Sequence, residues 1–334
     1  MQTAPLVSVV TPVYNGEPYL AECIESILAQ TYTHWEYIIV NNCSTDRTLA
    51  IAQHYAKQDA RIRLHDNEMF LDRLANSNHA LRQIRSDSTY CKIVHADDWL
   101  FPECLQRMTE VAESQATIGI VGSYRLLGTH VDLDGMPYTC SIMPGHTLGQ
   151  SALYHIGRLG GLWIFGSPTS LLLRSDLIRS RSPFYNESNF HADAEVCLDL
   201  LQTCDFGFAH QVLTYTRYHP EAATAFANSF QTYLPGELQI LLTYGPRYLE
   251  PDDFARCVEN KLDQYYGFLA RSVFRGRDQR FWDYHRGEFN RLGQPFQWQR
   301  LLRSVVLEMA DHLFNPKWAV GKLRRKWQRG RRSA

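Results

Sequence analysis

The stretch Val94-His95-Ala96-Asp97-Asp98-Trp99 places two adjacent carboxylates directly after a short apolar run. Residues 91–94 predict a buried strand, and residues 99–102 predict the turn into a helix. The Asp pair therefore lies at the carboxyl end of a strand, where open α/β sheets bind their ligands. Two such carboxylates repel each other and lose solvation unless a cation compensates, and a hard divalent cation that also holds a phosphate suits them. The alternative interpretation is an Asp pair that caps the next helix.

Strand and helix signals alternate over the first 125 residues on both sides of this stretch. Apolar runs predict strands, and apolar positions at helical spacing predict the helices between them. The predicted strands are residues 7–10, 37–40, 61–64, 91–94 and 118–121, and the predicted helices begin near residues 17, 44, 74 and 102. Repeated βα units of this kind indicate a mostly parallel central sheet flanked by helices, an α/β fold.

The periodicity weakens after this region and later becomes helical. Residues 126–183 are rich in glycine and turns and predict antiparallel strands and loops, followed by a helix at 190–201 and strands at 207–209 and 212–215. Past residue 230 the pattern is that of amphipathic helices. We therefore predict three parts: a first domain at 1–225, a helical C-terminal extension at 226–316, and a tail at 317–334.

The tail carries a strong positive charge that the net charge of −1 conceals. It contains eight Lys or Arg and no Asp or Glu, so the other residues hold 26 basic against 35 acidic side chains. Two interpretations remain open: a solvated end, or a contact with anionic lipid headgroups helped by Trp318 and Trp327. Nucleic acid is not expected as a partner, because no nucleic-acid-reading motif accompanies the basic run.

Cysteine usage and hydropathy indicate the compartment. The eight cysteines show no C-x-x-C pair and no regular spacing, which favours reduced thiols over a disulfide framework or a zinc site. The first apolar run breaks at Pro12 without a preceding basic region, unlike a signal peptide. We expect a cytoplasmic protein, with peripheral attachment to the inner face of the cell membrane as the alternative.

Two common nucleotide-binding classes are disfavoured by the turn after the first strand. That turn reads Thr-Pro-Val-Tyr-Asn-Gly over residues 11–16, where a dinucleotide-binding enzyme has G-x-G-x-x-G. The sequence also lacks the G-x-x-x-x-G-K-[ST] loop of P-loop nucleotide triphosphatases.

Five segments in one order resemble the family 2 inverting glycosyltransferases of the GT-A fold. The resemblance covers roughly residues 6–225 and its opening segment is highly specific. The segments read "VSVVTPVYNGEPYLAECIESILAQTY", "YIIVNNCSTDRT", "LANSNHAL", "KIVHADDWLFPECL" and "FHADAEVCLDLL". The resemblance implies a GT-A type nucleotide-diphospho-sugar transferase fold, a nucleotide diphosphate sugar donor and a hydroxyl acceptor on a glycan or glycolipid. The helical C-terminal extension lies outside the resemblance and is predicted from its amphipathic pattern alone.

The resemblance also implies roles for single residues on the donor side. Pro12, Tyr14 and Glu17 match the nucleobase and ribose end of the donor pocket, where a Tyr ring can stack on a base. Asn42 matches a carboxylate that contacts the base, and Asn41 precedes it where the family usually has another Asp. An amide both donates and accepts hydrogen bonds whereas a carboxylate only accepts, so the base need not be the usual uridine.

The metal motif departs from the usual Asp-x-Asp-Asp because His95 stands at its first position. Asp97 and Asp98 retain the carboxylates that hold Mg²⁺ or Mn²⁺ together with diphosphate oxygens. Asp97 is also expected to contact the sugar-nucleotide donor. An imidazole ligand would favour Mn²⁺, although His95 could instead bond the ribose or a neighbouring loop.

The remaining expected roles fall on the later segments. Asp193 matches the general base, with Glu195 as second candidate, although the preceding residue of that motif is Ala192 here. Arg217 and His219 match a late basic pair that neutralises the leaving diphosphate. Residues 166–169 are expected to shape the acceptor side.

These features predict a metal-dependent, inverting glycosyltransferase of bacterial type that acts in surface polysaccharide or glycoconjugate synthesis. Two other functions remain open. A degenerate homologue that binds a sugar nucleotide without turnover is supported by Asn41, Asn42, His95 and Ala192. A nucleotidyltransferase would also use a strand-end Asp pair and a metal, but it would carry a Gly-rich basic loop after the first strand.

Overall fold

A ten-stranded sheet forms the centre of the computed structural model, which describes residues 4–132, 135–156, 161–218 and 230–314. The strands are β1 (Val7–Val13), β2 (Trp35–Asn41), β3 (Ile62–Asp66), β4 (Tyr90–Ile93), β5 (Trp99–Leu100), β6 (Ile118–Leu127), β7 (His130–Asp132), β8 (Ile142–Met143), β9 (Leu171–Arg174) and β10 (Asp205–Thr216). Their order is β3-β2-β1-β4-β9-β6-β10-β5, with β7 beside β6 and β8 beside β10.

Eleven α-helices belong to the described residues. They are α1 (Leu20–Leu28), α2 (Thr48–Gln58), α3 (Arg73–Leu81), α4 (Cys104–Glu113), α5 (Gly145–Tyr154), α6 (Ser175–Arg179), α7 (Ala192–Leu200), α8 (Tyr233–Tyr248), α9 (Pro251–Val273), α10 (Gln279–Arg291) and α11 (Trp298–Phe314). Two 3₁₀ turns, Leu162–Phe165 and Pro168–Ser170, precede β9.

Six strands, including all the long ones, run in the same direction. Strands β3, β2, β1 and β4 pair in parallel, and β6 pairs in parallel with β10. Strand β9 is antiparallel to both β4 and β6, so these two groups share one direction. The predicted mostly parallel sheet is thus confirmed, and the carboxyl ends of β1, β2, β4 and β10 meet at one edge.

The sequence pattern explains why these elements form. Every residue of β2 is buried, as expected of a strand covered on both faces. Helix α1 buries Leu20, Ile24 and Ile27, which recur at helical spacing, against the same core. Burying a side chain of this size stabilises the fold by about 1.5–3 kcal/mol, so the core of this part rests largely on such residues.

Residues 126–183 differ most from their prediction. They contain a ten-residue helix, α5, where strands and loops were expected. A second difference lies further along the chain, where the two strands expected at 207–209 and 212–215 form one strand, β10. Helix α5 packs its Gly149 under the ring of Tyr248, a residue about 100 positions away. Local periodicity does not reveal such a contact, because the glycine is required by the distant aromatic ring.

The chain separates into two compact units. The first comprises Met1–Phe226 together with Tyr244–Leu249, and the second comprises Ala227–Thr243 and Glu250–Ala334. Within the first unit, the Tyr248 hydroxyl donates to the carbonyl oxygen of Leu198 in α7 at 2.5 Å, and the Gln150 side chain donates to the carbonyl oxygen of Tyr248. A single cut at residue 225 did not anticipate this short returning segment, and the predicted basic tail lies outside the described residues.

The second unit has its own core. Tyr265, Tyr266 and Leu269 of α9 are fully buried there, and the ring of Tyr265 stacks on Phe289 with centroids 4.6 Å apart. Lys261 and Glu237 form a buried ion pair beside them. Among the described helices, none combines the length and the apolar character that crossing a membrane requires.

A buried lysine lies in the strand that leads to the Asp pair. Lys92 of β4 is fully buried, and its ammonium group donates to the sulfur of Met108 at 3.3 Å. Burial lowers the pKa of Lys92, while the nearby Cys104 and Asp98 oppose that change. A methionine at this position would keep the length and remove the buried charge.

The lowered pKa of Lys92 should therefore make the free energy of unfolding rise with pH. The unfolded chain binds the lysine proton more tightly than the native state does, so ΔG of unfolding increases with pH up to the ordinary lysine pKa of about 10.4. We expect Lys92→Met to raise Tm most at neutral pH, and the difference from wild type to shrink as the pH approaches 10. Thermal unfolding across this range checks it, with the exposed Lys57→Met as control; a difference that stays constant with pH would contradict the assignment.

Candidate active site

The carboxyl edge of the parallel strands brings together several of the residues that the sequence singled out. Tyr14 follows β1, Asn42 follows β2, the Asp pair follows β4, and Arg217 follows β10. These strands end at the same edge because they run in the same direction. The Asp pair and Arg217, 119 positions apart in the sequence, are in direct contact there.

Asp98 is the most buried member of the pair. One oxygen of its carboxylate accepts from the Thr169 hydroxyl at 2.6 Å, and the other accepts from the backbone N–H of Arg217 at 3.0 Å. Burial raises the pKa of Asp98 to about 6; the imidazole of His95 opposes this and the charge of Asp97 adds to it. A cation at this point would restore the ionised form, which is the electrostatic requirement of a metal ligand.

Pairing between β5 and β10 fixes Arg217 beside the Asp pair. Tyr215 is opposite Trp99 in this short antiparallel ladder, and their rings stack with centroids 4.9 Å apart. The backbone N–H of Phe101 also donates to the carbonyl oxygen of Leu213. The residues that follow the Asp pair therefore bind strand β10, which leads directly into Arg217. The short sequence "DDWLF" thus supplies the two carboxylates and also holds the strand that places Arg217 beside them.

The guanidinium group of Arg217 has several partners. Its Nε donates to the backbone oxygen of Asp97 at 3.0 Å, and a terminal nitrogen forms an ion pair with Glu22 of α1. The group lies over the rings of Tyr19 and Tyr215, 4.8 and 5.3 Å from their centroids. These contacts hold a positive charge next to the carboxylates, where it can meet an anionic group.

His95 completes a cluster that can hold a metal ion. His95, Asp97 and Asp98 each offer a ligand atom, and these atoms lie within 4.8 Å of one another. The Nδ1 atom of His95 is 4.0 Å from an oxygen of Asp98. Two carboxylates and an imidazole are a donor set for Mn²⁺, and the carboxylates also suit Mg²⁺, so the residues present fit the predicted ion.

The loops after β1 and β2 are bound together by hydrogen bonds. Asn15, at a positive φ of 49°, accepts from the backbone N–H of Thr45, and the backbone N–H of Gly16 donates to the Thr48 hydroxyl. Both carboxylate oxygens of Glu17 accept from Arg47, and this lowers the pKa of Glu17. Glu17 thus helps to hold the two loops together. Its contact with the sugar-nucleotide donor stays a prediction.

Asn42 holds the chain that follows β3. Its side-chain oxygen accepts from the backbone N–H of Leu71 and from the amide of Asn67, and its side-chain nitrogen donates to the Leu71 oxygen at 2.7 Å. A carboxylate could not make the last of these bonds, because it would face the carbonyl oxygen without a proton. An amide is therefore required by the protein itself, whatever base the site accepts.

Exposed aromatic side chains lie at this end of the sheet. Tyr14 is 49% exposed, and its ring meets Phe70 edge-on with centroids 5.0 Å apart. Phe70 belongs to the segment that Asn42 fixes through Leu71. Pro12, by contrast, lies within β1 in register with Val40 of β2. The pair Tyr14 and Phe70 offers flat apolar surface of the kind on which a base stacks.

The two acidic candidates for the base differ in their surroundings. Both lie in the first turn of α7. Glu195 accepts from the amides of Asn186 and Asn189 and so holds the loop before the helix. Asp193 accepts from the backbone N–H of Ala194, and its charge contributes to the raised pKa of Tyr185, whose main cause is burial. Glu195 thus has a structural role, which leaves Asp193 as the better candidate.

The sequence did not reveal two contributors to this site, and it named one residue outside the described structure. Thr169 was predicted to shape the acceptor side, which stays a prediction; the sequence did not reveal that its hydroxyl joins the His95 backbone to Asp98. Glu22 and Phe70 carried no signal of their own, because each acts through a partner distant in sequence. His219 lies outside the described residues.

Thr169→Val should test the buried bond to Asp98. Valine has the same shape but neither donates to Asp98 nor accepts from the His95 backbone, so we expect a loss of about 1–3 kcal/mol in the free energy of unfolding. Thr169→Ser keeps the hydroxyl and is the matched control. Urea unfolding measures both variants, and equal stability of Thr169→Val and wild type would show that this bond is dispensable.

Comparison of the sequence with known protein families gives a match over the part of the chain that carries strands β1 to β8. Residues 8–163 match the family model described as glycosyl transferase family 2. The chain is 43% identical over 119 residues to the uncharacterized glycosyltransferase EpsJ of Bacillus subtilis, a stretch that covers 35% of this chain and 33% of EpsJ. The matched stretch thus spans about a third of that relative.

Solved structures extend the likeness over most of the chain. Staphylococcus aureus TarS 1-349 in complex with UDP has a TM-score of 0.60 at 16% identity, covering 86% of this chain and 79% of that one. The mannosyltransferase PcManGT of Pyrobaculum calidifontis, in complex with GDP-Man and Mn²⁺, has a TM-score of 0.55 at 13% identity, covering 94% and 88%. These structures confirm the predicted GT-A fold, and residues 8–163 carry a glycosyltransferase family 2 domain.

Proposed function

We propose that this chain is an inverting glycosyltransferase that moves a sugar from a nucleotide diphosphate sugar to a hydroxyl acceptor. The observation that carries the proposal is the meeting of His95, Asp97 and Asp98 with Arg217 at the carboxyl edge of the sheet. This arrangement places a candidate cation site and a guanidinium side by side. Both are suited to a diphosphate, whose negative charge grows as it leaves the sugar.

His95, Asp97 and Asp98 would hold Mn²⁺ or Mg²⁺. When bound, the ion supplies positive charge to the diphosphate oxygens and helps orient the sugar. The buried carboxylate of Asp98 favours this role, because its burial is costly without a compensating cation. PcManGT, a structural neighbour of the same fold, is described with Mn²⁺.

Arg217 would bind the diphosphate directly. Its guanidinium is already close to Asp97, and its ion pair with Glu22 of α1 is solvent-accessible on the glutamate side. A diphosphate carries more charge than a single carboxylate and can replace Glu22 as the partner. His219 is proposed as the second basic residue of this pair on the family resemblance alone.

The nucleotide would occupy the end of the site formed by the first two loops. Tyr14 and Phe70 offer aromatic surface for the base, and Glu17 and Asn42 shape the loops around it. Pro12, in β1, is proposed to contact the donor on the family resemblance alone. The structural neighbours are described with UDP and with GDP-Man, so the fold accommodates both a pyrimidine and a purine. The base and the sugar of this chain's donor are best identified by a binding screen.

The reaction would proceed by direct displacement. The acceptor hydroxyl oxygen attacks the anomeric carbon from the side opposite the diphosphate, the bond to the diphosphate oxygen breaks, and Asp193 takes the hydroxyl proton. Attack from the far side inverts the anomeric configuration. The acceptor is proposed to be a glycan or glycolipid of a surface polysaccharide or other glycoconjugate, handled at the inner face of the cell membrane.

The alternative is a degenerate homologue that binds a sugar nucleotide without turnover. Its support is the departure from the family pattern at Asn41, Asn42, His95 and Ala192. The structure gives Asn42 a positive reason to be an amide, which weakens that support. A nucleotidyltransferase is disfavoured because the loop after β1 carries Tyr14 and Asn15 in place of a Gly-rich basic loop.

Metal dependence gives the first test of the transferase. We expect slow release of nucleoside diphosphate from the right sugar nucleotide, supported by Mn²⁺ or Mg²⁺ and abolished by EDTA. Asp97→Ala and Asp98→Ala should each reduce this release by about 10²-fold or more, because each removes a carboxylate from the cation. Asp87→Ala, which removes an exposed aspartate in a surface ion pair, is the control. Full activity in EDTA or in both variants would exclude a metal-dependent enzyme.

The base assignment gives the second test. Asp193→Asn keeps size and polarity, so donor affinity should remain while turnover falls by roughly 10²-fold or more. Glu195→Gln should change turnover much less and act mainly on stability, because Glu195 holds the loop through Asn186 and Asn189. Single-turnover transfer and donor titration on the two variants separate these effects. The reverse pattern would move the base to Glu195, and no loss of turnover in either would refute the mechanism.

A further inference from the structure

The last described helix carries an apolar stripe on its exposed side. Trp298, Leu302, Val306 and Met309 of α11 are 62%, 65%, 56% and 48% exposed. Their spacing of three or four residues places them on one face of the helix, over a length of about 16 Å. Four large apolar side chains in a row on a solvent-facing helix need a partner, since scattered ones would not line up this way.

A neighbouring side of the same helix is already occupied by protein. Leu301 is buried in the core of the second unit, and Val305 packs against that core. Arg300 forms ion pairs with Glu259 and Asp263 of α9. Helix α11 is therefore held in place by one face and presents the stripe on another.

Helix α9 adds apolar surface at the same end. Arg300 pairs with Asp263, and Arg271 lies 3.8 Å from Glu308, so α9 and α11 run in the same direction. Their C-terminal ends are consequently neighbours. Val273 and Phe274, at the end of α9, are exposed like Met309. The C-terminal ends of both helices therefore carry exposed apolar side chains.

The basic tail at residues 317–334 carries a positive charge that favours an anionic partner. Residues 317–334 contain eight Lys or Arg and no Asp or Glu, and they include Trp318 and Trp327. An apolar helical face followed at once by a basic, tryptophan-containing segment is the composition of an interfacial anchor. Basic residues near an anionic bilayer are attracted to it, and salt screens this attraction.

We propose that α11 is an interfacial helix that binds an anionic membrane surface through Trp298, Leu302, Val306 and Met309. The basic tail supplies the electrostatic attraction, and the stripe supplies burial among the lipid chains. A second copy of this chain is a poorer occupant, because a stripe of four side chains falls short of the roughly 800 Å² per partner of a stable interface. Pairing through it would also bring two segments of eight positive charges together. The proposal does not depend on the transferase activity.

Vesicle co-sedimentation of the full chain tests the proposal. The probes are vesicles of phosphatidylcholine alone and of phosphatidylcholine with phosphatidylglycerol. We expect binding to the anionic vesicles, weakened by salt, and a loss of about tenfold or more in the double variant Leu302→Gln/Val306→Gln, whose tail is intact. Leu307→Gln is the matched control, since Leu307 is 60% exposed but lies on the far side of the helix.

Two further measurements keep the outcomes distinct. Circular dichroism and sugar-nucleotide thermal shift should be the same for all three proteins, which shows that the variants fold. Removal of residues 317–334 should weaken binding to anionic vesicles and leave a residual, salt-insensitive part due to the stripe. If the double variant binds as well as wild type, the tail alone attaches the protein and the proposal is wrong. If the double variant instead converts a dimer to a monomer in light scattering, with vesicle binding unchanged, the stripe belongs to a second copy.

Discussion

The buried carboxylate of Asp98 organises the candidate active site. It accepts from the hydroxyl of Thr169 and from the backbone N–H of Arg217, so three distant segments of the chain converge on one side chain. Both bonds are stronger than neutral ones because the acceptor is an anion, and both are lost if the carboxylate is removed. The group that would bind the metal therefore also fixes the ends of β10 and of the 3₁₀ turn Pro168–Ser170. Binding and folding are coupled at this point.

Much of this could be predicted because the information is local. The apolar runs, the helical spacing of Leu20, Ile24 and Ile27, and the position of the Asp pair after a strand all follow from short stretches of sequence. Parallel strands then bring Tyr14, Asn42 and the Asp pair to one edge without further information. The sheet and the identity of its functional edge were accordingly within reach of the sequence.

The other features of the site depend on contacts between residues distant in sequence, which local sequence patterns do not show. Thr169 sits in a turn-rich region without periodicity, and only the fold shows that its hydroxyl reaches Asp98. Asn42 looked like a change in base recognition, whereas its nitrogen donates to the Leu71 oxygen and so serves the protein's own loop. The sequence ranks Glu195 as the second candidate after Asp193, but it does not show the two asparagine partners that give Glu195 a structural role. In each case the deciding contact joins segments that local patterns treat separately.

The segment Tyr244–Leu249 has a consequence for how this chain could exchange parts with its relatives. It belongs to the first unit, although the residues on both sides of it belong to the second. Tyr248 covers Gly149 and bonds to α7, the helix that carries Asp193. Recombination that joined a new C-terminal region at residue 225 would remove this tyrosine and leave α7 without its cover. A recombinant of this chain that is to fold must therefore keep these six residues with the first unit, although in the sequence they lie among residues of the second.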